Sequence, residues 1–222
     1  MTGQFAAAGV TPRVRVDLGR LLANAELAAA ERPLSSIAVD LTADAWGHGA
    51  REVEKRLRRA GVRRFVTGRS SESDTLDPAD VYGQRSDGGR ARPVLRMEAM
   101  VLLVKQLRAG EGVSYGYAHR AEHDTRIALV SAGYAHGVMR SLGGRADVSI
   151  DGIRHPIIGR IAMDACVIDV GTAPVERGAT AVLLGDPERA EPTLAEWFEP
   201  TGETAAPLLA AVGSRTRREY QG

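Results

Sequence analysis

The sequence contains a single cysteine, Cys166, so no disulfide can form within the chain and a reducing compartment is expected. The net charge is +1, which gives no electrostatic reason to expect nucleic acid or an acidic membrane as a partner. No apolar run approaches the roughly 20 residues of a membrane span. The first residues lack a basic start followed by an apolar core, so no signal peptide is predicted. These absences together predict a cytoplasmic protein.

Lysine is also scarce. Of the 29 basic residues, only Lys55 and Lys105 are lysines. A genome whose base composition favours arginine codons explains arginine on the surface. It does not explain arginine or threonine at a position where chemistry needs a primary amine.

The composition is otherwise that of a folded chain, with 44% hydrophobic and 26% charged residues in 222, enough for one or two domains. The first part alternates predicted strands and helices, a rhythm that favours parallel pairing. The predicted strands are Val14 to Asp17, Ile37 to Leu41 and Arg64 to Thr67. The predicted helices are Leu18 to Arg32 and Ala50 to Ala60.

The polar segment Ser70 to Arg92 is predicted to be a linker or irregular, and Glu98 to Arg108 is predicted to be a helix. After these two segments the sequence pattern changes. From Gly112 the chain carries short strand patterns with glycine turns, typical of a small all-β domain reaching to about residue 190. Its predicted strands are Arg126 to Val130, Asp147 to Ile150, Pro156 to Ile158, Ala165 to Val170 and Thr180 to Leu184. The tail from about Thr193 is predicted to be helical in two pieces. We therefore predict two domains, residues 1–110 and 111–222.

Three blocks of the second half resemble the C-terminal β-domain of alanine racemases, which are fold-type III enzymes that use pyridoxal phosphate. They are "GEGVSYGYAHRA", "SAGYAHGVMRSL" and "GRIAMDACVIDV". Their order and spacing agree with the family across about 100 residues. His136 in the second block stands where the family usually has an aspartate.

The first half resembles the same family in pieces. "VRVDLGRLLANAELA" is similar to the opening strand and helix of the family's (βα)8 barrel, and "DPADVYGQRSDGGRARPVLRMEAMV" to the end of its eighth strand and the segment after it. Such a barrel typically needs about 250 residues, and the chain has roughly 85 between Asp17 and Leu102. The resemblance thus implies a fold of mixed class, α/β plus all-β: a remnant of the barrel, a truncated TIM barrel, followed by the racemase-like β-domain.

The strand end "VDLTADAWGHGA" resembles the motif that carries the family's Schiff-base lysine, and Thr42 stands in the lysine position. A hydroxyl cannot form an imine, so covalent attachment of the cofactor there is lost. Lys55 and Lys105 both lie in predicted helices away from this strand end. No cofactor is therefore expected, although the family uses pyridoxal phosphate.

Other cofactor positions of the family are also altered. The resemblance places Leu76 at the arginine that contacts the pyridine nitrogen and Pro78 at a glycine that donates to phosphate. Trp46 stands at a phosphate-binding tyrosine and Ser214 at the tail tyrosine. Because proline has no N–H and a phosphate dianion needs several placed donors, almost all of the phosphate site is lost.

The second base of the family survives. Tyr134 matches the tyrosine that a neighbouring subunit contributes, and Met163 and Asp164 match neighbouring-subunit residues that line the way to the substrate. A phenol ionises near pH 10, so such a base needs positive charge nearby, for which Arg140 and Arg160 are candidates by proximity in sequence. The alternative is that Tyr134 only supports a turn between strands.

The histidines give no metal pattern. His48 is interpreted as a structural part of its Gly-His-Gly loop. His119, His123 and His136 do not repeat a ligand spacing and have no carboxylate or cysteine partners arranged nearby, so no metal is predicted.

Two classes of function remain open. The chain is either a non-catalytic interaction or regulatory protein derived from alanine racemase, or an isomerase component that contributes Tyr134 to a mixed or homodimeric active site. In both cases the expected partner is a second copy or a full-length racemase. Thr42 separates the two interpretations, because a chain selected for racemisation should keep the amine.

Overall fold

The computed structural model describes residues 11–68, 73–84 and 90–222, without the side chain of Tyr115. Its strands are β1 Arg13–Asp17, β2 Ala38–Asp40, β3 Arg64–Val66, β4 Leu95–Leu107, β5 Gly112–Val113, β6 His119–Arg120, β7 Thr125–Val130, β8 Asp147–Ile150, β9 Ile153–Ile158, β10 Cys166–Asp169, β11 Thr180–Leu184 and β12 Arg217–Gln221. Its helices are α1 Leu18–Ala29, α2 Thr42–Trp46, α3 Ala50–Arg59, α4 Pro78–Val81, α5 Ala195–Thr201 and α6 Ala205–Arg215.

Six strands close into a barrel. They run in the order β4, β7, β10, β9, β8 and β11, and β11 pairs back onto β4. Every pair in this ring is antiparallel. Closure removes the free edges that an open sheet would expose. The β-domain predicted from about residue 112 to 190 is therefore present, and the predicted strands of this region lie where the sequence placed them, to within a few residues.

The predicted helix Glu98 to Arg108 is wrong, because all of these residues except Arg108 belong to β4. Along this strand Met97, Ala99 and Val101 are buried, whereas Met100 is 38% exposed, so the apolar residues follow a period of two until a bulge after Val101. The apolar run fits either period on its own. These residues form a strand because β1, β11 and β7 pair with them.

The barrel sheet recruits strands from both ends of the chain. β1 pairs antiparallel with β4, and β12 pairs parallel with β1 along its whole length. The sequence did not predict β12, and it predicted β1 to belong to the parallel α/β part. The sheet thus contains strands from both sides of residue 110, and whether residues 1–110 and 111–222 fold as separate domains stays a prediction.

What remains of the parallel part is small. β2 and β3 pair in parallel, as predicted. On the other side of β2, Thr75 forms a parallel bridge with Ala38, next to the segment that resembles the family's last barrel strand. The polar segment Ser70 to Arg92 lies partly outside the described residues; its described part contains this bridge and α4. The fold is therefore a barrel remnant joined to a closed β-domain.

Candidate functional site

The turn after β2 winds in the left-handed sense. Thr42 opens it with its N–H donated to the Asp40 carboxylate at 2.7 Å. From Ala43 to Trp46 every φ lies between 50° and 58°. Each L-residue in this conformation costs roughly 1 to 2 kcal/mol, so neighbouring structure must hold the turn. Thr42, which the resemblance aligns with the family's lysine, therefore lies at the start of a strained segment.

Helix α6 holds one side of this turn by backbone contact. A Cβ at Gly47 would lie 2.1 Å from the carbonyl oxygen of Leu209, and one at Gly213 would lie 2.0 Å from the carbonyl oxygen of Gly47. Both positions require glycine because no side chain fits between the two backbones. The helix thus fixes the turn without contributing a functional side chain.

Strand β12 holds the other side of the turn. The Arg218 guanidinium donates to the Asp44 carboxylate and to the carbonyl oxygen of Gly47, the latter at 3.2 Å. Asp44 also accepts the N–H of Ala50 at 2.8 Å. Partial burial of Asp44 raises its pKa, but the hydrogen bonds from Arg218 and Ala50 outweigh this effect and hold the pKa below its ordinary value.

An aromatic stack lies beneath the turn. The rings of His48 and Tyr82 stack with centroids 4.6 Å apart, and Trp46 lies 5.7 Å from Tyr82. The Tyr82 hydroxyl donates to the carbonyl oxygen of Asp40, and burial raises its pKa. His48 Nδ1 lies 2.8 Å from the carbonyl oxygen of Ala45 and 3.1 Å from that of Trp46. Since both are acceptors, Nδ1 carries the proton.

His48 is fully buried, and desolvation lowers its pKa to about 4. The ring is therefore neutral near neutral pH, and Nε2 presents a buried lone pair that has no partner among the described residues. These contacts give His48 a role in supporting the loop, in line with its interpretation from the sequence.

The residues that the family resemblance places at the other cofactor positions offer few free hydrogen-bond donors. Leu76 is buried and donates its N–H to the carbonyl oxygen of Ala38 at 2.9 Å. Pro78 begins α4 and has no N–H. Ser214 is exposed near the end of α6, and its hydroxyl donates to the carbonyl oxygen of Ala211. Together with Thr42 in place of an amine, these residues do not fit a lysine-bound pyridoxal phosphate.

A second group of predicted residues lies around Tyr134. The N–H of Tyr134 donates to the carbonyl oxygen of Ala162 at 3.0 Å, and that of Ala135 to Met163 at 2.9 Å. The Arg140 guanidinium lies 5.5 Å from the centre of the Tyr134 ring. The structure thus brings Tyr134, Arg140 and Met163 together.

The neighbours of this group are exposed. Met163 is 54% exposed, and Asp164 is also exposed. Burial lowers the pKa of His136, and the charge of Asp164 opposes this effect. The backbone N–H of Arg160 donates to the Ser114 hydroxyl at 2.7 Å, and this hydroxyl donates to the carbonyl oxygen of Arg160 at 2.9 Å. Nowhere in the described residues do three or more metal-ligating side chains come together.

The two groups are linked through α6. A Cβ at Gly137, which ends the Tyr134 turn, would lie 2.8 Å from Val212, and Gly213 of the same helix contacts Gly47. Within the described ranges no hydrogen bond or ion pair joins the Thr42 turn directly to the Tyr134 turn. The Thr42 turn and the Tyr134 turn are therefore two separate groups of residues that pack on the same helix.

Sequence reasoning missed the residues that hold the Thr42 turn. Arg218 and Tyr82 are far from Asp44 and His48 in sequence, and no local pattern connects them. The only signal was the pair of glycines around His48, since glycine favours left-handed backbone.

The fold and these two turns define a class of protein, a closed antiparallel β-barrel that carries an incomplete parallel barrel segment on its side. The sequence model of the alanine racemase C-terminal domain matches residues 94–220. The chain belongs to the alanine racemase family.

Relatives that match in sequence are also named alanine racemase. The chain is 40% identical over 179 residues to an alanine racemase of Mycobacterium leprae, covering 72% of this chain and 46% of that protein. It is 42% identical over 131 residues to one of Mycobacterium ulcerans, covering 58% of this chain and 34% of the relative. The chain thus spans about half, or less, of the length of the curated relatives it matches.

Solved structures share the fold. The alanine racemase from Streptomyces lavendulae superposes with a TM-score of 0.80 at 22% identity, covering 97% of this chain and 98% of that one. The enzyme from Bartonella henselae, solved with covalently bound pyridoxal phosphate, gives a TM-score of 0.81 at 15% identity over 95% and 99% of the two chains. At these identities the likeness concerns the fold alone. None of the described helices is long and apolar enough to cross a membrane.

Proposed function

We propose that this chain is a non-catalytic member of the alanine racemase family that acts as an interaction or regulatory protein. The observation that carries the proposal is Thr42, which opens the left-handed turn where the family resemblance expects the Schiff-base lysine. A hydroxyl has no nitrogen with which to form an imine. Racemisation through a lysine-bound cofactor therefore has no starting point at this strand end.

The remaining lysines do not offer a substitute. Lys55 lies on α3 with its side chain 54% exposed, and its ammonium group lies 3.4 Å from Glu52. Lys105 is exposed on β4, within the barrel sheet. A catalytic lysine needs a sheltered site that orients its amine towards the cofactor, and neither exposed position supplies one.

The experiment is a spectral titration of the full chain with pyridoxal phosphate, followed by borohydride reduction and mass spectrometry. We expect no visible absorption band of a lysine-bound cofactor, no reduced adduct on Lys55 or Lys105, and no racemisation of alanine. The variant Thr42→Lys should not gain activity, because Leu76 and Pro78 still lack the donors that the cofactor needs. A reduced adduct on the unmodified chain would overturn the proposal.

A second candidate function is that of an isomerase component. The observation that favours it is the ordered Tyr134 turn, held by Ala162 and Met163 with Arg140 over the ring. In this proposal the chain pairs with a full-length racemase and contributes Tyr134 to the partner's substrate site.

The two candidates separate in a complementation assay. A full-length racemase variant that lacks its own tyrosine base is mixed with this chain, and activity is measured. Recovery with the unmodified chain, and none with Tyr134→Phe, supports the isomerase component. Binding without recovery supports the non-catalytic interaction protein.

A further inference from the structure

A polar cavity of about 180 Å³ lies where β1, β4 and the loop after β11 meet. Since a water molecule takes up about 30 Å³ in the liquid, the cavity has room for several waters or for one small ion. It shares no residue with the turns of Thr42 and Tyr134. Its charged lining residues are Arg15, Asp17, Arg20, Arg96, Asp186, Arg189 and Glu191.

The carboxylates of the cavity already have donors. The Asp186 carboxylate lies 3.0 Å from the guanidinium of Arg20. The Glu191 carboxylate lies 2.7 Å from the guanidinium of Arg96 and accepts the backbone N–H of Asp186 at 2.8 Å. Asp17 accepts the N–H of Arg20 at 2.9 Å and the side-chain amide of Gln221 at 3.2 Å. These acids therefore have little capacity left for further arginines.

Arg15 lacks a good acceptor. Its Nε is buried and forms no hydrogen bond in the part of the chain that the structure describes. The closest acid is Glu98, at 3.3 Å, but Glu98 already accepts Arg13 at 2.8 Å and a further bond from Arg96. The Arg15 side chain as a whole is 39% exposed, so only the buried Nε is a costly unpaired donor, and the other N–H groups of the guanidinium are left to bind a ligand at the cavity.

Arg189 is the second arginine without an acid. It ends a short turn, Pro187–Arg189, whose start is fixed by the Asp186 carboxylate accepting the N–H of Glu188. Its side chain is exposed at the rim of the cavity, and its guanidinium forms no hydrogen bond or ion pair with the residues that the structure describes. Four arginines face three carboxylates in this cavity, so the lining carries a net charge of +1.

We propose that the cavity binds one small oxyanion, a phosphate or a carboxylate group, between Arg15 and Arg189. Both guanidinium groups have free donors at one cavity, and a planar fork of N–H groups matches two oxygens of such an anion. The partly enclosed walls strengthen the attraction relative to open water. The anion supplies the acceptor oxygens that the surrounding carboxylates, already bonded, do not.

The test is isothermal titration of the full chain with inorganic phosphate, and separately with acetate, at an ionic strength held constant with sodium chloride. We expect saturable one-to-one binding of at least one of the two, with a dissociation constant of about 1 mM or tighter. If only phosphate binds, the ligand of the cavity is a phosphoryl group. If acetate binds, the ligand is a carboxylate.

Arg189→Ala should weaken binding about tenfold or more, because it removes charge-assisted hydrogen bonds. Arg145→Ala is the matched control, since Arg145 is exposed on the barrel and does not line the cavity; it should bind as the unmodified chain does. Circular dichroism verifies that both variants fold. Absence of saturable binding, or equal weakening by both variants, would overturn the proposal and leave a water-filled ion-pair network.

Discussion

At the scale of single residues, His48 couples the Thr42 turn to pH. The ring is fully buried, stacked on Tyr82, and its pKa is lowered to about 4. The unfolded chain binds this proton near pH 6.5. The folded state therefore keeps its full advantage above pH 6.5 and loses it as the pH falls from 6.5 to 4, by roughly 3 kcal/mol in total.

We predict that His48→Gln flattens this dependence. Glutamine can still donate to the carbonyl oxygens of Ala45 and Trp46 but does not titrate. Urea unfolding at several pH values between 6.5 and 4 measures the slope, which should be shallower in the variant by up to one proton. Equal slopes for the two proteins would show that His48 is not the group that titrates.

Asp44 is predicted to contribute in a lower pH range than His48. Its lowered pKa means that its contribution is complete above its ordinary value of 3.8 and is lost as the pH falls further. Because the side chain is 49% exposed, the ion pair with Arg218 is screened and contributes only about 0.5 to 1 kcal/mol. Asp44→Asn should therefore lower the free energy of unfolding by this amount at pH 7, and the effect should shrink as the pH falls below 3.8 in urea unfolding.

At the scale of elements, the left-handed turn depends on the packing of α6. We predict that Gly47→Ala is strongly destabilising, because its Cβ would collide with the carbonyl oxygen of Leu209. Gly144→Ala is the matched control: its φ of 76° is nearly that of Gly47, 78°, but nothing lies within 4 Å of its Cβ.

Both substitutions impose the left-handed penalty of roughly 1 to 2 kcal/mol. Only Gly47→Ala adds the clash, so the difference in midpoint of chemical unfolding between the two variants measures the contact with α6. Equal midpoints would mean that α6 does not constrain the turn.

The sequence predicted those elements that have a local sequence pattern. It missed those that form only by pairing with distant strands of the same chain. The alternation and glycine turns of the barrel strands β7 to β11 placed them within a few residues. Leu95–Leu107 fits either a helix or a strand until β1, β7 and β11 pair with it. Likewise, Arg217–Gln221 becomes a strand only because β1 offers a free edge.

The candidate site divides in the same way. The sequence placed Thr42 at a strand end and Tyr134 in a turn between strands, and both residues lie in such positions. The contact of the Tyr134 turn with Met163 was not predicted. The left-handed winding after Thr42 and the contact with Arg218 could not be predicted, because they arise from packing between segments far apart in sequence. What these residues do in the protein stays a prediction.

At the scale of the whole molecule, two parts of the described surface lack the cover that a neighbouring strand or chain would give. β3 pairs only with β2, and its other edge has no strand partner among the described residues. On the outside of the barrel, Leu103 on β4 pairs with Leu129 on β7, which pairs with Val167 on β10, and Leu103 is 37% exposed. An open edge and an apolar row are the usual marks of an interface.

We therefore predict that the chain forms a dimer or a larger assembly, held partly through the face that bears Tyr134 and Met163. Symmetric pairing is the commonest outcome for oligomers, and the same face could instead receive a full-length racemase. Met163→Glu, which places a charge on a side chain that is 54% exposed, should shift the chain towards a monomer in light scattering at micromolar concentration.

The matched control for this interface is Ile153→Glu. Ile153 is similarly exposed, at 51%, but begins β9, roughly 17 Å along the strand from the end that leads to Met163. A charge there should leave the assembly intact, because it lies outside the predicted face. A stable monomer in the unmodified chain excludes an obligate assembly. A dimer that dissociates with Ile153→Glu but not with Met163→Glu would keep the assembly and place its interface at the opposite end of β9.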